Sequence, residues 1–313
     1  MCGITGIFGN FRKDELDRSV RKMSAALAHR GPDDSGTWSD GKSGISFGHR
    51  RLSIMDLSLS GHQPMISPCG KFSVVFNGEI YNHLQLRDRL NNSKYGQSWK
   101  GHSDTETLVS LFSQWGIEKT LDKLVGMFAI AVWDYTTEKL YLIRDRFGEK
   151  PLYYGWSNRG FLFGSELNAL RSYEYFNNEV DRNSLSLYMQ YMYVPSPYSI
   201  FKDVYKLDPG CILEIDDSGK VQPPEQITPS VFNAKGISIK QWYSLSKIAK
   251  NSQNNLIEDE NEAIELLEKT LLESVQSQLI SDVPLGAFLS GGIDSSVIVS
   301  LMQKVSKNPV KTF

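Results

Sequence analysis

The sequence predicts an α+β layered sandwich followed by the start of an α/β domain with a doubly wound parallel sheet. Short apolar strands separated by glycine, proline and asparagine dominate residues 2–215. Apolar residues at helical spacing, then a strand, a small-residue loop and another helix, dominate residues 259–313. A chain of 313 residues is long enough for two such cores. The polar stretch between them, 216–258, is expected to be a connector.

The composition is that of a soluble globular protein. The chain has 34 basic and 36 acidic residues and a net charge of -2, so charge gives no indication of a nucleic-acid or membrane partner. The first residues lack the basic segment and long apolar core of a signal peptide, which predicts a cytoplasmic location. The three cysteines, Cys2, Cys69 and Cys211, are too few and too scattered for a disulfide framework.

The first part is predicted to contain seven strands and three amphipathic helices. The strands are expected at 4–8, 44–49, 72–76, 128–134, 139–143, 152–155 and 161–164. The helices are expected at 16–29, 105–115 and 183–192. Strands outnumber helices and are mostly consecutive in the chain, and this order favours an α+β sandwich.

The second part has the pattern of one β-loop-α-β unit. A helix with apolar residues from Ile264 to Leu279 precedes a strand at 283–289, a loop at 290–296, a helix at 297–305 and a strand from Val310. Such a unit belongs to a parallel sheet, which is normally covered on both faces. One unit cannot provide that cover, so we expect this domain to be truncated in the chain.

Cys2 is the first candidate nucleophile. It follows Met1, and it is small enough to permit removal of the initiator methionine. Removal would place a thiol and a free α-amine on one residue. An α-amine has a pKa of about 7.7–8.0, so near neutral pH part of it is unprotonated and can accept the thiol proton. Cys69 and Cys211 have no such surroundings and are expected to be ordinary residues.

Five motifs, the first of which contains Cys2, occur in a fixed order. They are Met1-Cys2-Gly3-Ile4, Arg30-Gly31-Pro32-Asp33, Arg51-Leu52-Ser53-Ile54, Phe76-Asn77-Gly78-Glu79-Ile80-Tyr81-Asn82 and Ser103-Asp104-Thr105-Glu106. Their order and spacing over roughly two hundred residues resemble the class II glutamine amidotransferases, a family of N-terminal-nucleophile hydrolases. The resemblance implies a four-layer sandwich in which Cys2 hydrolyses glutamine.

The resemblance also implies roles for the other residues. The Asn77 amide and the Gly78 N–H would stabilise the oxyanion, while Arg51 would bind the α-carboxylate of glutamine through a bidentate guanidinium. Glu79 and Asp104 would bind its α-ammonium. Asn77 and Gly78 therefore count both as catalytic and as glutamine-binding residues.

The residues alone leave alternatives at three of these positions. Arg50 could bind the carboxylate in place of Arg51, although Arg50 fits a solvated surface arginine better. Asn77-Gly78 has the composition of a tight turn after the strand 72–76. Asp104 could serve only as the cap of the helix that begins near Thr105.

The small-residue loop in the second part is the candidate ATP site. Ser290-Gly291-Gly292-Ile293-Asp294-Ser295-Ser296 lies between the expected strand and helix, where backbone N–H groups can bind phosphate oxygens. It resembles the pyrophosphate-binding loop of ATP pyrophosphatases, which implies that ATP contacts Leu289, Ser290, Gly291, Gly292, Asp294, Ser295 and Ser296. Asp294 is expected to be the helix cap or to take part in holding Mg²⁺.

Together the two parts resemble the glutamine-hydrolysing asparagine synthetase family. The resemblance implies that ammonia from glutamine is transferred to an adenylated aspartate, giving asparagine, AMP and pyrophosphate. The alternative is amidation of another carboxylate acceptor, for example in surface polysaccharide biosynthesis. A sugar or phosphoribosyl amidotransferase lacks the ATP loop, and a non-catalytic relative would have lost Cys2 or that loop.

The expected partners are small molecules. ATP with Mg²⁺ is expected as a substrate, beside glutamine and aspartate or another carboxylate, and a homodimer is possible. The five histidines, at positions 29, 49, 62, 83 and 102, have no metal-binding spacing and are expected to be structural or surface residues. We therefore assign no metal to protein ligands and no tightly bound cofactor.

Overall fold

The structure, a computed structural model, describes residues 1–92, 98–221 and 232–313. They form two compact units. The first comprises Met1–Ser53 and Ser58–Ser244, and the second comprises Ile54–Leu57 and Leu245–Phe313. In the described ranges, no helix combines the length and the apolarity that crossing a membrane requires.

The first unit contains thirteen strands among its described residues. They are β1 (Gly3–Gly9), β2 (Asp34–Asp40), β3 (Ile45–Arg51), β4 (Met65–Ile66), β5 (Phe72–Ile80), β6 (Gly126–Asp134), β7 (Lys139–Arg144), β8 (Tyr153–Ser157), β9 (Gly160–Gly164), β10 (Val204–Lys206), β11 (Cys211–Ile215), β12 (Phe232–Ala234) and β13 (Ile237–Gln241). Its helices are α1 (Lys13–Ala25), α2 (His83–Asn91), α3 (Asp104–Trp115), α4 (Ile117–Leu121), α5 (Leu167–Arg171) and α6 (Arg182–Tyr191), besides a short 3-10 helix at Leu59–Gly61.

These strands form two antiparallel sheets. One has the order β10-β8-β9-β1-β3-β2, and the other has the order β12-β13-β11-β7-β6-β5-β4. Side chains from the facing sides of both sheets, such as Phe47, Trp133 and Phe163, form the central apolar layer. Helices α1 and α5 pack on the outer side of the first sheet, and α2, α3 and α4 pack on the outer side of the second. The result is the four-layer sandwich that the sequence predicted.

Strand β5 continues through the predicted tight turn. Its pairing with β6 runs from Phe72 opposite Asp134 to Ile80 opposite Gly126, with Asn77 and Gly78 in the middle of the ladder. The turn interpretation of Asn77-Gly78 is therefore wrong. The local preference of the dipeptide is overridden by nine consecutive pairs with a buried neighbouring strand.

The three predicted helices are confirmed, with shifts at their ends. Helix α1 begins earlier and ends earlier than predicted, because the Arg12 N–H donates to the carboxylate of Glu15 at its first turn. Helix α3 is capped by the Ser103 hydroxyl, which accepts from the Glu106 N–H at 3.2 Å. Asp104 is thus the first residue inside the helix, and the cap-only interpretation of Asp104 is wrong.

Several short elements were not predicted. Strand β2 carries few apolar residues, and the strands β10 to β13 are only three to five residues long, so neither gives a clear pattern in the sequence. Strand β13 pairs with all of β11, so this part of the expected connector belongs to the sheet of the first unit. Residues 222–231 of the expected connector lie outside the described residues.

The second unit contains the predicted β-loop-α-β order. Helices α7 (Leu245–Ser252) and α8 (Glu260–Ser277) precede β14 (Gly286–Ala287), α9 (Ile293–Val305) and β15 (Lys311–Thr312). Strands β14 and β15 pair in parallel, as predicted, although β14 is shorter than expected. Val275, Leu301 and Met302 form its buried core.

Phe163→Ala should destabilise the first unit by about 3–5 kcal/mol, because it removes a fully buried ring from the layer between the sheets. The ring packs edge-on against Phe47, with centroids 5.7 Å apart. Urea unfolding followed by tryptophan fluorescence measures this, since all six tryptophans lie in the first unit. Met189→Ala, at an exposed position of α6, is the control. Equal midpoints for the two variants would contradict the prediction.

Candidate active site

Cys2 lies at the start of the central strand of the first sheet. Gly3 pairs with Arg50 of β3, and Arg30 Nε donates to the Cys2 carbonyl oxygen at 2.9 Å. The Leu52 N–H, just after the end of β3, points at Cys2 Sγ with a distance of 3.4 Å. The thiol is therefore held at the same end of the sheet as Arg51.

The surroundings of Cys2 favour a neutral thiol beside a neutral amine. Burial raises the pKa of the thiol, and the charge of Asp104 adds to this, while the Leu52 N–H and Arg51 oppose it. Burial also lowers the pKa of the N-terminal amine, here on Met1, and the charges of Arg30 and Lys150 lower it further. Because the thiol retains its proton, nucleophilic attack by Cys2 requires a base.

Arg51 is buried and its guanidinium is fixed. It is 6% exposed and donates from Nη1 to the Ser58 carbonyl oxygen at 3.0 Å. Gly61 lies against it, since a Cβ at Gly61 would be 1.9 Å from Arg51 Nη2. Arg50 is half-buried on the opposite face and donates to the Ser24 carbonyl oxygen at 3.1 Å, so the expectation of a solvated surface arginine is wrong for Arg50.

Gly78 presents its N–H at an edge of β5 that β6 does not cover. Phe128, opposite Gly78, uses both its N–H and its carbonyl oxygen to bind Asp145 on its other side. Gly78 and Phe128 are therefore a non-hydrogen-bonded pair, and the Gly78 N–H points away from β6. The N–H groups two positions before and after Gly78 also point away from β6. That of Phe76 donates to Gln63 Oε1 at 2.7 Å, and that of Ile80 donates to Asp104 Oδ2 at 3.0 Å.

Asn77 lies next to this edge with an amide nitrogen that lacks a partner. The side chain is 1% exposed, and its Nδ2 has no hydrogen-bond partner among the residues that the structure describes. A buried, unsatisfied donor is costly unless a ligand accepts from it. Asn77 Nδ2 and the Gly78 N–H are thus two adjacent donors available to an anionic group.

Two carboxylates complete this part of the site. Burial raises the pKa of Asp104 to about 6, against the effect of the Ile80 and Thr105 N–H donors, and the charge of Glu79 raises it further. Burial likewise raises the pKa of Glu79, whereas the charges of Lys150 and the N-terminal amine lower it. A bound cation would favour the ionised form of both carboxylates.

The structure brings together all the residues predicted for glutamine hydrolysis. The charges of Asp104 and Arg51 act on the pKa of the Cys2 thiol, and the charge of Glu79 acts on the pKa of the N-terminal amine of Met1. His49 Nε2 donates to the Phe76 carbonyl oxygen at 3.2 Å and so links the strands β3 and β5 that carry them. These six positions, namely Cys2, Arg51, Asn77, Gly78, Glu79 and Asp104, form one cluster in the first unit.

Sequence reasoning gave no role to three residues close to this cluster. Arg30 was part of a quoted motif without a role, yet its Nη1 binds Glu166 at 2.9 Å while its Nε holds the Cys2 carbonyl. Gly61 was not singled out. Lys150 was likewise given no role. In the sequence, the position of Arg30 before Gly31-Pro32 and of Lys150 before Pro151-Leu152 was the only indication of a special role.

The candidate ATP loop lies in the second unit. Gly291 has a φ of +80°, which favours glycine, and Gly292 is the N-cap of α9 without a side-chain cap. The loop is closed by Ser290 Oγ and Ser295 Oγ at 3.2 Å, and the Ser296 hydroxyl donates to the Gly292 carbonyl oxygen at 2.8 Å. Asp294 lies inside the first turn, so the expectation that it is the cap is wrong. The first N–H groups of α9 are available to an anion.

Two protein families match the chain. Residues 1–225 match the glutamine amidotransferase domain family, and residues 266–313 match the asparagine synthase family. The first match covers every residue of the cluster around Cys2, and the second covers the loop from Leu289 to Ser296.

Curated relatives extend over nearly the whole chain. It is 32% identical to putative asparagine synthetase [glutamine-hydrolyzing] 2 of Methanocaldococcus jannaschii, over 97% of this chain and 57% of that protein. It is 34% identical to asparagine synthetase [glutamine-hydrolyzing] 1 of Bacillus subtilis, over 100% of this chain and 45% of that protein. The chain thus spans about half the length of these relatives.

A solved structure shares the fold. The glutamine phosphoribosylpyrophosphate amidotransferase of Bacillus subtilis, complexed with ADP and GMP, superposes with a TM-score of 0.52 at 17% identity, covering 100% of this chain and 65% of that one. At this identity the likeness shows the N-terminal-nucleophile amidotransferase fold alone. With the family match over residues 1–225 and the cluster around Cys2, the chain belongs to the glutamine amidotransferase family.

Proposed function

We propose that the first unit hydrolyses glutamine to glutamate and ammonia, and that the second is the start of a domain that uses ATP to activate a carboxylate for amidation. The observation that carries the proposal is the half-buried Cys2 thiol, at the same end of the sheet as Arg51, together with two adjacent donors, Asn77 Nδ2 and the Gly78 N–H. Glutamate release from glutamine by the purified chain is the direct test.

In this proposal Cys2 acts after Met1 is removed. The α-amine accepts the thiol proton while sulfur attacks the side-chain amide carbon of glutamine. The negative charge that develops on the amide oxygen is stabilised by Asn77 and Gly78. As this intermediate collapses, the α-ammonium of Cys2 returns its proton to the leaving nitrogen, so ammonia is released and a glutamyl thioester remains, which water hydrolyses to glutamate and free Cys2.

The charged residues fit the amino-acid end of glutamine. Arg51 is buried and its guanidinium is held in place, and a planar guanidinium suits the planar α-carboxylate. Glu79 and Asp104 supply negative charge for the α-ammonium. A site that combines a buried arginine with two carboxylates suits a zwitterion and would discriminate against glutamine analogues that lack either charge.

For the second unit we propose ATP, as its magnesium complex, as the substrate. The uncapped N-terminus of α9 and the open backbone at Gly291 support binding of phosphate oxygens by Ser290, Gly292, Ser295 and Ser296, with Leu289 beside them. Asp294 is exposed in the first turn, where a carboxylate suits a phosphate-bound Mg²⁺.

Aspartate is the proposed acceptor, because both relatives described above bear the name asparagine synthetase. Adenylation of its carboxylate would release pyrophosphate, and ammonia would then displace AMP to give asparagine. Pyrophosphate release with aspartate, compared with other carboxylates, tests this acceptor in a protein of the relatives' full length. We propose the cytoplasm as its location, and a homodimer as a possible assembly.

Cys2→Ala should abolish glutamate release while the fold remains, because it removes the nucleophile and little volume. Glutamate is measured enzymatically, and mass spectrometry should find Met1 absent from the active parent protein. Cys69→Ala, at an exposed cysteine, is the matched control and should retain activity. Activity of Cys2→Ala within about tenfold of the parent would exclude Cys2 as the nucleophile, since loss of a nucleophile costs far more.

Asn77→Ala should lower kcat for glutamine by about 10²–10³, with little change in KM, since it removes one oxyanion donor. Steady-state rates of glutamate release measure both constants. Asn10→Ala, at an exposed asparagine of the same unit, is the control. A rise in KM with kcat unchanged would instead assign Asn77 to binding of the ground state.

Arg51→Ala should raise KM for glutamine by at least about 30-fold, because it leaves the α-carboxylate without its buried partner. Gly61→Ala should act in the same direction, since its Cβ displaces the guanidinium. Arg50→Ala is the control. Equal increases for Arg50→Ala and Arg51→Ala would refute the assignment.

A further inference from the structure

His49 is a fully buried histidine in the layer between the two sheets. It lies on β3 two residues before Arg51 and is 1% exposed, and its neighbours of the same parity, Ile45 and Phe47, belong to the central apolar layer. Its Nε2 lies 3.2 Å from the Phe76 carbonyl oxygen, whereas Nδ1 has no hydrogen-bond partner among the residues that the structure describes. An apolar side chain would fill this place without burying an unpaired nitrogen, so the imidazole needs a reason beyond packing.

The protonation state of His49 follows from its contact with β5. A carbonyl oxygen can only accept, so Nε2 carries the proton and Nδ1 is a bare acceptor. Burial lowers the pKa of His49 to about 3, against the opposite effect of the Phe76 carbonyl, so the ring is neutral near neutral pH. His49 is therefore a fixed hydrogen-bond donor, and it is neither a base nor a cation in the site.

The hydrogen bond from His49 lies on the outer edge of β5. Strand β4 pairs with β5 no further along than Val74. Beyond that point, in the described part of the chain, side chains bind this edge at Phe76. The Phe76 N–H donates to Gln63 Oε1 at 2.7 Å, and the Phe76 carbonyl oxygen accepts from His49. Both outward-facing groups of Phe76 are thus held, and the next outward donor along the strand is the Gly78 N–H.

This contact fixes the peptide group that leads into Asn77. The Phe76 carbonyl lies in the same peptide plane as the Asn77 N–H. Pairs alternate along an antiparallel ladder, and Gly78 belongs to a non-hydrogen-bonded pair, so Asn77 and Ala129 form a hydrogen-bonded pair. One side of the peptide group is therefore held by β6 and the other by His49. The direction in which the Asn77 side chain leaves the strand depends on that plane.

We propose that His49 is a positioning residue for glutamine hydrolysis, which holds the Asn77 amide at the place where the oxyanion forms. The inference rests on the proposed function, in which Asn77 Nδ2 stabilises that charge. Such a donor must lie about 2.7–3.1 Å from the oxyanion, and a displacement of about 1 Å costs about 10²-fold in rate. His49 also connects the strand that carries Arg51 with the strand that carries Asn77, which are the proposed partners of the two ends of glutamine.

The first test compares His49→Leu, His49→Gln and the control His83→Leu with the parent chain, by steady-state rates of glutamate release. Leucine fills the layer but cannot donate, so kcat should fall by about 10²-fold with little change in KM. The side-chain amide of His49→Gln can reach the Phe76 carbonyl, so it should recover most of that loss. His83 is also 1% exposed, and neither of its ring nitrogens has a partner among the described residues, so His83→Leu should keep the parent constants.

A second comparison separates positioning from a general loss of structure. If His49 acts through Asn77, His49→Leu should lower kcat far less in an Asn77→Ala background than in the parent, because the group that it positions is absent. A loss of rate through partial unfolding would be equal in both backgrounds. If His49→Leu does not fold, His49→Asn takes its place, since its amide is one methylene shorter than that of His49→Gln and does not reach Phe76.

Three results would each overturn the inference, namely equal losses of kcat in the two backgrounds, an unchanged kcat in His49→Leu, and a loss that His49→Gln does not reduce. A parent chain that releases no glutamate, or an Asn77→Ala variant with unchanged kcat, would refute the proposed function and with it the inference. That failure is distinguishable, because it is seen before any His49 variant is compared.

Discussion

The pairing of β5 with β6 at Gly78 and Phe128 is the contact on which the candidate site depends. A Cβ at Gly78 would lie 2.2 Å from the Met127 carbonyl oxygen, so only glycine permits the strands to approach so closely here. Because Phe128 directs its own N–H and carbonyl towards Asp145, Gly78 is left with an N–H that faces outwards. A single tight contact thus determines which backbone donor is available.

Side chains along β5 point alternately to its two faces, and this alternation determines which of them reach the candidate site. The even-numbered positions Phe76 and Ile80 face the helices, while Asn77 and Glu79 project into the layer between the sheets, which also contains β1. The backbone N–H groups of Phe76 and Ile80 are taken by Gln63 and Asp104. Asp104 is thereby placed in the site by hydrogen bonding to the strand, in addition to its place in α3.

The motifs of the candidate site are easier to recognise in the sequence than the strands and helices that carry them. Cys2 and Arg51 stand in motifs whose chemistry is visible in their residue types. Asn77-Gly78 is locally indistinguishable from a turn, and only the long-range ladder with β6 makes it a strand. Strand β13 is a five-residue segment in a polar region, so its pairing with β11 depends on a neighbour that local patterns do not reveal.

The burial of Lys150 is likewise not visible in its local sequence. A lysine near glycine and proline is normally solvated, so its short sequence context gives no sign of burial. Its burial follows from Asp145, whose carboxylate gathers N–H groups from β6 and from the loop itself. Such a convergence joins residues that are up to 22 positions apart, from Phe128 to Lys150, and it has no periodic signature in the chain.

Burial of the Cys2 thiol has a consequence for the proposed chemistry. Desolvation raises the pKa of the thiol, which favours the neutral thiol over a thiolate. A preformed thiolate is therefore disfavoured, and the proton must leave sulfur as the bond to the amide carbon forms. The negative charge then develops on the substrate oxygen, where Asn77 and Gly78 provide the donors, so stabilisation is concentrated in the transition state.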